Sequence, residues 1–191
     1  MKIYAVILFV VALFAMSAAA SPRRPQVQPS PSATQSTQPS PNPADVSSVN
    51  ALIGAMYDVI SGPSTKKRDW DRFRSLFYPG ARLMRLVPDK NGVSAPTVLT
   101  PDDYVSRAGK YFDTQGIFEH EIARRGETWG KMQQLFSTYE SRNSASDPAP
   151  FARGINSVLI FNDGKRWWIL TIAWQEETPE VKLPAEYLPK M

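Results

Sequence analysis

The stretch from Phe151 to Trp174 constrains this chain more than any other. Two blocks rich in β-branched and aromatic residues flank Asn162-Asp163-Gly164-Lys165. That pattern predicts a β-hairpin, because Asp-Gly supplies the positive φ angles of a tight turn. With Asp163-Gly164 as a two-residue turn, Arg153 faces Trp174, Ile155 faces Ile172, Ser157 faces Leu170 and Leu159 faces Trp168 on a bulky face. The reverse face pairs Gly154 with Ala173, Asn156 with Thr171, Val158 with Ile169 and Ile160 with Trp167. A hairpin apolar on both sides belongs inside a sheet, with helices on one face and a second layer or a partner subunit on the other.

The rest of the chain is unevenly equipped to fold. Seven of the 17 prolines lie between Pro22 and Pro43, so the packed part is shorter than 191 residues. Met1-Lys2, an apolar run from Ile3 to Met16 and then Ser17-Ala18-Ala19-Ala20 have the form of a signal peptide over residues 1–20. The expectation is a secreted or periplasmic protein cleaved after Ala20; the alternative is an uncleaved N-terminal membrane anchor. Residues 21–44, rich in Pro, Ser and Gln, read as a disordered linker. Residues 45–177 then form one domain, and 178–191 a Pro-spaced tail lying along its surface. The chain has no cysteine, which excludes disulfides, thiolate metal sites and a cysteine nucleophile. A net charge of +4 without a concentrated basic stripe gives no indication of nucleic-acid binding.

Within the domain, Val49, Leu52, Ile53, Met56 and Ile60 keep helical spacing, predicting a helix from Asp45 to Ile60 that Gly62-Pro63 ends. Asp69 caps a second helix with Trp70, Phe73, Leu76 and Phe77 on one stripe. The charges Lys66, Lys67, Arg68, Arg72 and Arg74 read as a solvated face or, alternatively, an acidic-ligand site. Ala81–Val87 and Ser94–Leu99 form a short strand pair, and Thr100-Pro101-Asp102-Asp103 starts a third helix. Ile117–Glu127 is ambiguous: its Glu, Ala and Arg content favours a helix, and the alternation of Phe118, His120 and Ile122 a strand. Lys131–Arg142 reads as a strand.

This order, with Leu76-Phe77-Tyr78-Pro79-Gly80-Ala81-Arg82-Leu83 and Asn162-Asp163-Gly164-Lys165-Arg166-Trp167, resembles the nuclear transport factor 2-like (SnoaL-like) superfamily, in particular its secreted bacterial members. The resemblance implies an α+β cone, in which a strongly bent antiparallel sheet packs on three N-terminal helices and leaves a pocket at its open end. It also implies that Ile117–Glu127 is a strand. The superfamily includes cofactor-free isomerases and cyclases with an acid–base residue in the pocket, dehydratases, and members that only bind or dimerise. The separated Asp and His of the polyketide cyclase members have no match here.

On a strand, Glu119 and Glu121 share one face and His120 takes the other. Either glutamate, desolvated among aromatics, suits proton transfer, as does His120, the sole histidine; Tyr139 could serve as acid. Arg153 beside Trp174 would hold an anion, unless Arg153 pairs with Glu119 or Glu121; Asn156 and Ser157 add hydrogen-bonding groups. One histidine and no cysteine assemble no metal set, although carboxylates alone could hold a hard cation. The expected function is a cofactor-free pocket for a small, partly apolar and anionic molecule. The rivals are an isomerase, dehydratase or cyclase type of enzyme and a non-catalytic dimerisation module. A homodimer is the expected assembly, with membrane contact only through an uncleaved leader.

Overall fold

Asn42 and Ser48 decide where the chain becomes helical. The computed structural model describes residues 38–88 and 92–190. The leader expected at 1–20, the linker up to residue 37 and most of the Asp89–Gly92 turn lie outside them. Asn42 caps a single turn, α1 (Pro43–Val46), and the Ser48 hydroxyl, accepting from the Ala51 N–H, caps α2 (Val49–Ile60). The helix expected from Asp45 is therefore two helices. Leu52, Ile53, Met56 and Ile60 of α2 are buried, as their spacing requires.

Asp69 caps α3 (Trp70–Ser75) as expected, but Phe77 opens strand β1 (Phe77–Pro88) instead of closing the helix. β1 runs antiparallel to β2 (Ser94–Leu99). A complete capping box between Thr100 and Asp103 starts α4 (Pro101–Thr114). β3 (Phe118–Trp129), β4 (Met132–Arg142), β5 (Ala152–Asn162) and β6 (Trp167–Glu176) follow. The ambiguous stretch is thus a strand: pairing with β4 along its whole length overrides its helix propensity.

The six strands form one curved, unclosed sheet in the order β2-β1-β6-β5-β4-β3. Every pair is antiparallel except β1 with β6, which is parallel. Its inner face meets the helices, where Leu52, Ile53, Phe73, Phe77, Val158, Ile160 and Ile169 build the core. The tail crosses the outer face. The Tyr187 ring packs on Phe136, and its carbonyl accepts from Thr138 Oγ1 at 2.7 Å. No helix of the described residues is long and apolar enough to cross a membrane.

The hairpin departs from its expected register. Asn162 pairs with Trp167, so the loop has four residues. The Asp163 carboxylate holds it open by accepting from the Lys165 and Arg166 N–H groups and from Trp168 Nε1, which leaves positive φ to Gly164 alone. A bulge between Leu159 and Ile160 on one side and Thr171 and Ile169 on the other shifts the deeper pairs again. Asn156 consequently faces Trp174, and Val158 faces Ile172.

Candidate functional site

Glu119 is set in place by its own backbone. Ser61, at the end of α2, accepts from the Glu119 N–H at 3.0 Å and donates to the Glu119 carbonyl at 2.8 Å. Gly62 and Ile117 exchange backbone hydrogen bonds beside it. The short loop carrying Ser61 is stiffened by Arg68. This side chain is buried and donates to the carbonyls of Ile60, Gly62, Pro63 and Lys66 while lying 5.5 Å from the Phe112 ring centre. Arg68 is therefore a structural clamp and not part of a solvated face. Nearby, Arg72 pairs with Asp45 and Asp58, and Arg74 with Asp71 and Asp102.

The Glu119 carboxyl lines an open cavity of about 520 Å³ between the inner sheet face and helices α2, α3 and α4. Phe73, Tyr104, Phe112, Ile172 and Trp174 give it apolar walls, and the exposed Phe151 and Tyr111 stand among its lining residues. Its polar groups are Glu119, Ser141, Tyr139, Asn156 and the Arg85–Glu176 ion pair, which is 3.0 Å long and half-exposed. Ser141 Oγ donates to Glu119 Oε2 at 2.7 Å, and this neutral hydroxyl is the carboxyl's sole partner among the described residues. Burial pushes the Glu119 carboxyl up to about 7; the Ser141 bond pulls the other way and the Glu176 charge reinforces the rise. Burial also raises the Tyr139 and Tyr104 phenols, with the Glu119 charge adding to both, so they keep their protons and remain donors. Gly154 makes room for Tyr139: a Cβ there would lie 2.6 Å from the phenolic oxygen and 2.5 Å from the Gln175 carbonyl.

No protein-family model matches the chain, and no curated protein matches it. Among solved structures it is similar to a protein of unknown function with a cystatin-like fold from Nostoc punctiforme, at 10% identity over 69% of this chain and 90% of that one, with a TM-score of 0.52. An uncharacterised cystatin-like protein from Caulobacter vibrioides is 14% identical over 70% of this chain and 90% of that one, with a TM-score of 0.50. An NTF-2-like protein of unknown function from Silicibacter pomeroyi is 12% identical over 69% and 94%, with a TM-score of 0.47. The chain has the fold of these cystatin-like structures, the α+β architecture that the superfamily resemblance implied.

On this scaffold the residues singled out from the sequence separate. Glu119, Tyr139, Asn156 and Trp174 meet at the cavity. Arg153 does not: it lies on the outer face of β5, where it pairs with Glu177 at 2.8 Å, and the bulge at Leu170 puts Trp174 on the inner face opposite Asn156, so there is no Arg153–Trp174 contact and no anion site there. Ser157 is likewise on the outer face, accepting from Gln134 Nε2 at 2.8 Å beneath the tail. His120 is exposed and lies opposite Glu140, away from the cavity.

Glu121 shares the inner face with Glu119 but does not line the cavity. A bulge between Glu121 and Ala123 sets Arg124 opposite Ser137, on the face a regular strand would deny it. Arg124 then grips the Glu121 carboxylate with two hydrogen bonds, Nε to Oε1 at 2.7 Å and Nη2 to Oε2 at 2.5 Å, while Ser137 Oγ donates to Oε1. Four contributors escaped the sequence reading: Tyr57, Tyr104, Arg85 and Glu176. Tyr57 and Tyr104 sit on helices α2 and α4, far in sequence from the strands they meet, and Arg85 and Glu176 meet only through the parallel β1–β6 pairing. Among the described residues, no group of three or more His, Asp or Glu could hold a metal ion.

Proposed function

We propose that the domain binds a small, neutral, partly apolar carbonyl compound in the cavity and that Glu119 moves a proton on it. The carboxylate takes a proton from the carbon next to the carbonyl; the C–H electrons pass to the oxygen, where the Tyr139 hydroxyl donates a hydrogen bond. Returning the proton to the same or a neighbouring carbon completes an exchange or an isomerisation. The observation that carries this reading is a carboxyl lining an open cavity with a single neutral partner, Ser141, and with two phenols in its field. The placement of Arg153 removes the support for an anionic ligand. Arg85, the remaining cation at the cavity among the described residues, is already paired with Glu176.

The test is hydrogen exchange at C1 of 2-tetralone and related cyclic ketones in D2O, followed by NMR. Wild-type protein should accelerate the loss of the C1 proton signal, and Glu119→Gln should reduce that acceleration by roughly 10²–10⁴-fold. No acceleration with any ketone, or equal acceleration by Glu119→Gln, contradicts the reading.

A further inference from the structure

A chain of hydrogen bonds runs from Glu121 to the cavity, and its direction is fixed. Ser137 Oγ donates to Glu121 Oε1 at 2.5 Å; it has one proton and has spent it. The 2.7 Å contact between Ser137 Oγ and the Tyr57 hydroxyl must therefore be a donation from Tyr57. With its own proton spent, the Tyr57 oxygen can only accept, and it accepts from Asn156 Nδ2 at 3.0 Å. Reversing the Asn156 amide would set its oxygen against an oxygen that has no proton to offer. Tyr57, Ser137 and Asn156 are all buried, so no bulk water substitutes for the missing bond. At the far end Arg124, tied also to Asn50 Oδ1 at 2.8 Å, holds Glu121 as an acceptor.

We infer that Glu121 acts at a distance, as a positioning residue that locks the Asn156 amide with its carbonyl oxygen free for a bound molecule, and that the cavity selects ligands carrying a hydroxyl or N–H donor. The inference rests on the proposed function and narrows its substrate class to carbonyl compounds that also carry such a donor. Asn156 Oδ1 has no partner among the described residues, and Asn156 lines the cavity. A hydroxyl or N–H reaching it forms a full hydrogen bond, whereas an ether or ester oxygen meets another acceptor. Asn156 and Glu119 then sort the ligand together: an acceptor fixed by the relay and a carboxyl that takes a proton.

The experiment compares binding of 6-hydroxy-2-tetralone and 6-methoxy-2-tetralone by titration calorimetry. Wild-type protein should prefer the hydroxy compound by roughly two- to tenfold, the worth of one neutral hydrogen bond. Ser137→Ala frees the Tyr57 proton, and Glu121→Gln lets an amide donate into the chain and reverse it. In both variants Asn156 can turn its N–H groups to the cavity, so the preference should vanish or invert. Equal wild-type binding of the two compounds, or an unchanged ratio in both variants, overturns the inference while leaving the Glu119 reading intact. No wild-type binding of either compound removes both. Where a variant fails to fold, NMR of the wild-type Asn156 side-chain amide decides: a nuclear Overhauser contact to the Tyr57 ring with one slowly exchanging proton supports the lock, and two freely exchanging protons overturn it.

Discussion

Glu119 and Glu121 lie two residues apart on one face of one strand, yet they sit in opposite kinds of surroundings. Glu119 looks into an open cavity with one hydroxyl as partner, and burial pushes its carboxyl up to about 7. Glu121 is closed in by Arg124 and Ser137 and does not line that cavity. The residue type, the strand and the face are the same; the difference comes from a single bulge after Glu121 that turns Arg124 inward. An acid–base group needs an unmatched neighbourhood, and a positioning group needs a matched one.

The sharpest way to break the comparison is to neutralise each carboxyl in turn. Glu119→Gln should cost roughly 10²–10⁴-fold in ketone proton exchange. Glu121→Gln should cost about tenfold or less, the loss of one oriented hydrogen bond. Equal losses would erase the distinction.

Stability against pH gives the next largest effect. The folded-state value of Glu119 is raised from 4.5 to about 7, so the folded protein binds the extra proton more tightly than the unfolded chain. Its contribution is complete below about pH 4.5 and is lost as pH rises through about 7. Urea unfolding should show roughly 2–3 kcal/mol less stability at pH 8 than at pH 5 from this group, and Glu119→Gln should abolish that difference.

Glu121→Ala should behave in the opposite sense. It leaves Arg124 and the buried Ser137 hydroxyl without their acceptor and should cost about 1–3 kcal/mol by the same method. The smallest effect belongs to Arg153→Ala. Its pairing with Glu177 is partly exposed and off the cavity, so it should cost about 1 kcal/mol or less and leave ketone binding unchanged.

How much of this the sequence carried depends on the range of the interaction concerned. The caps at Asp69 and Thr100 and the buried stripe of α2 were legible because a helix is decided within a few residues. The strand at Phe118–Trp129 was not settled locally: its composition favoured a helix and its alternation a strand, its stability lies in β4, and the superfamily resemblance decided between them. Glu119, Tyr139, Asn156 and Trp174 were candidates for the pocket that the resemblance implies, and the cavity receives all four. Arg153, Ser157 and His120 went astray for separate reasons. The Asp163 side chain enlarged the turn and a bulge at Leu170 moved the register, which carried Arg153 away from Trp174. Ser157 and His120 lie on the outer side of the sheet, and which side meets the helices is a tertiary fact. The Glu121–Ser137–Tyr57–Asn156 relay joins four elements and depends on a one-residue insertion that leaves no mark in composition or periodicity.

The most direct measurement is the titration of Glu119 itself. With selective ¹³C labelling, the Glu119 carboxyl carbon should shift with a midpoint near pH 7, and a glutamine there should remove that resonance from the titrating set. A midpoint near 4.5, the ordinary value, would mean that the carboxyl is solvated or charge-paired in solution, and the proton-transfer account would fail.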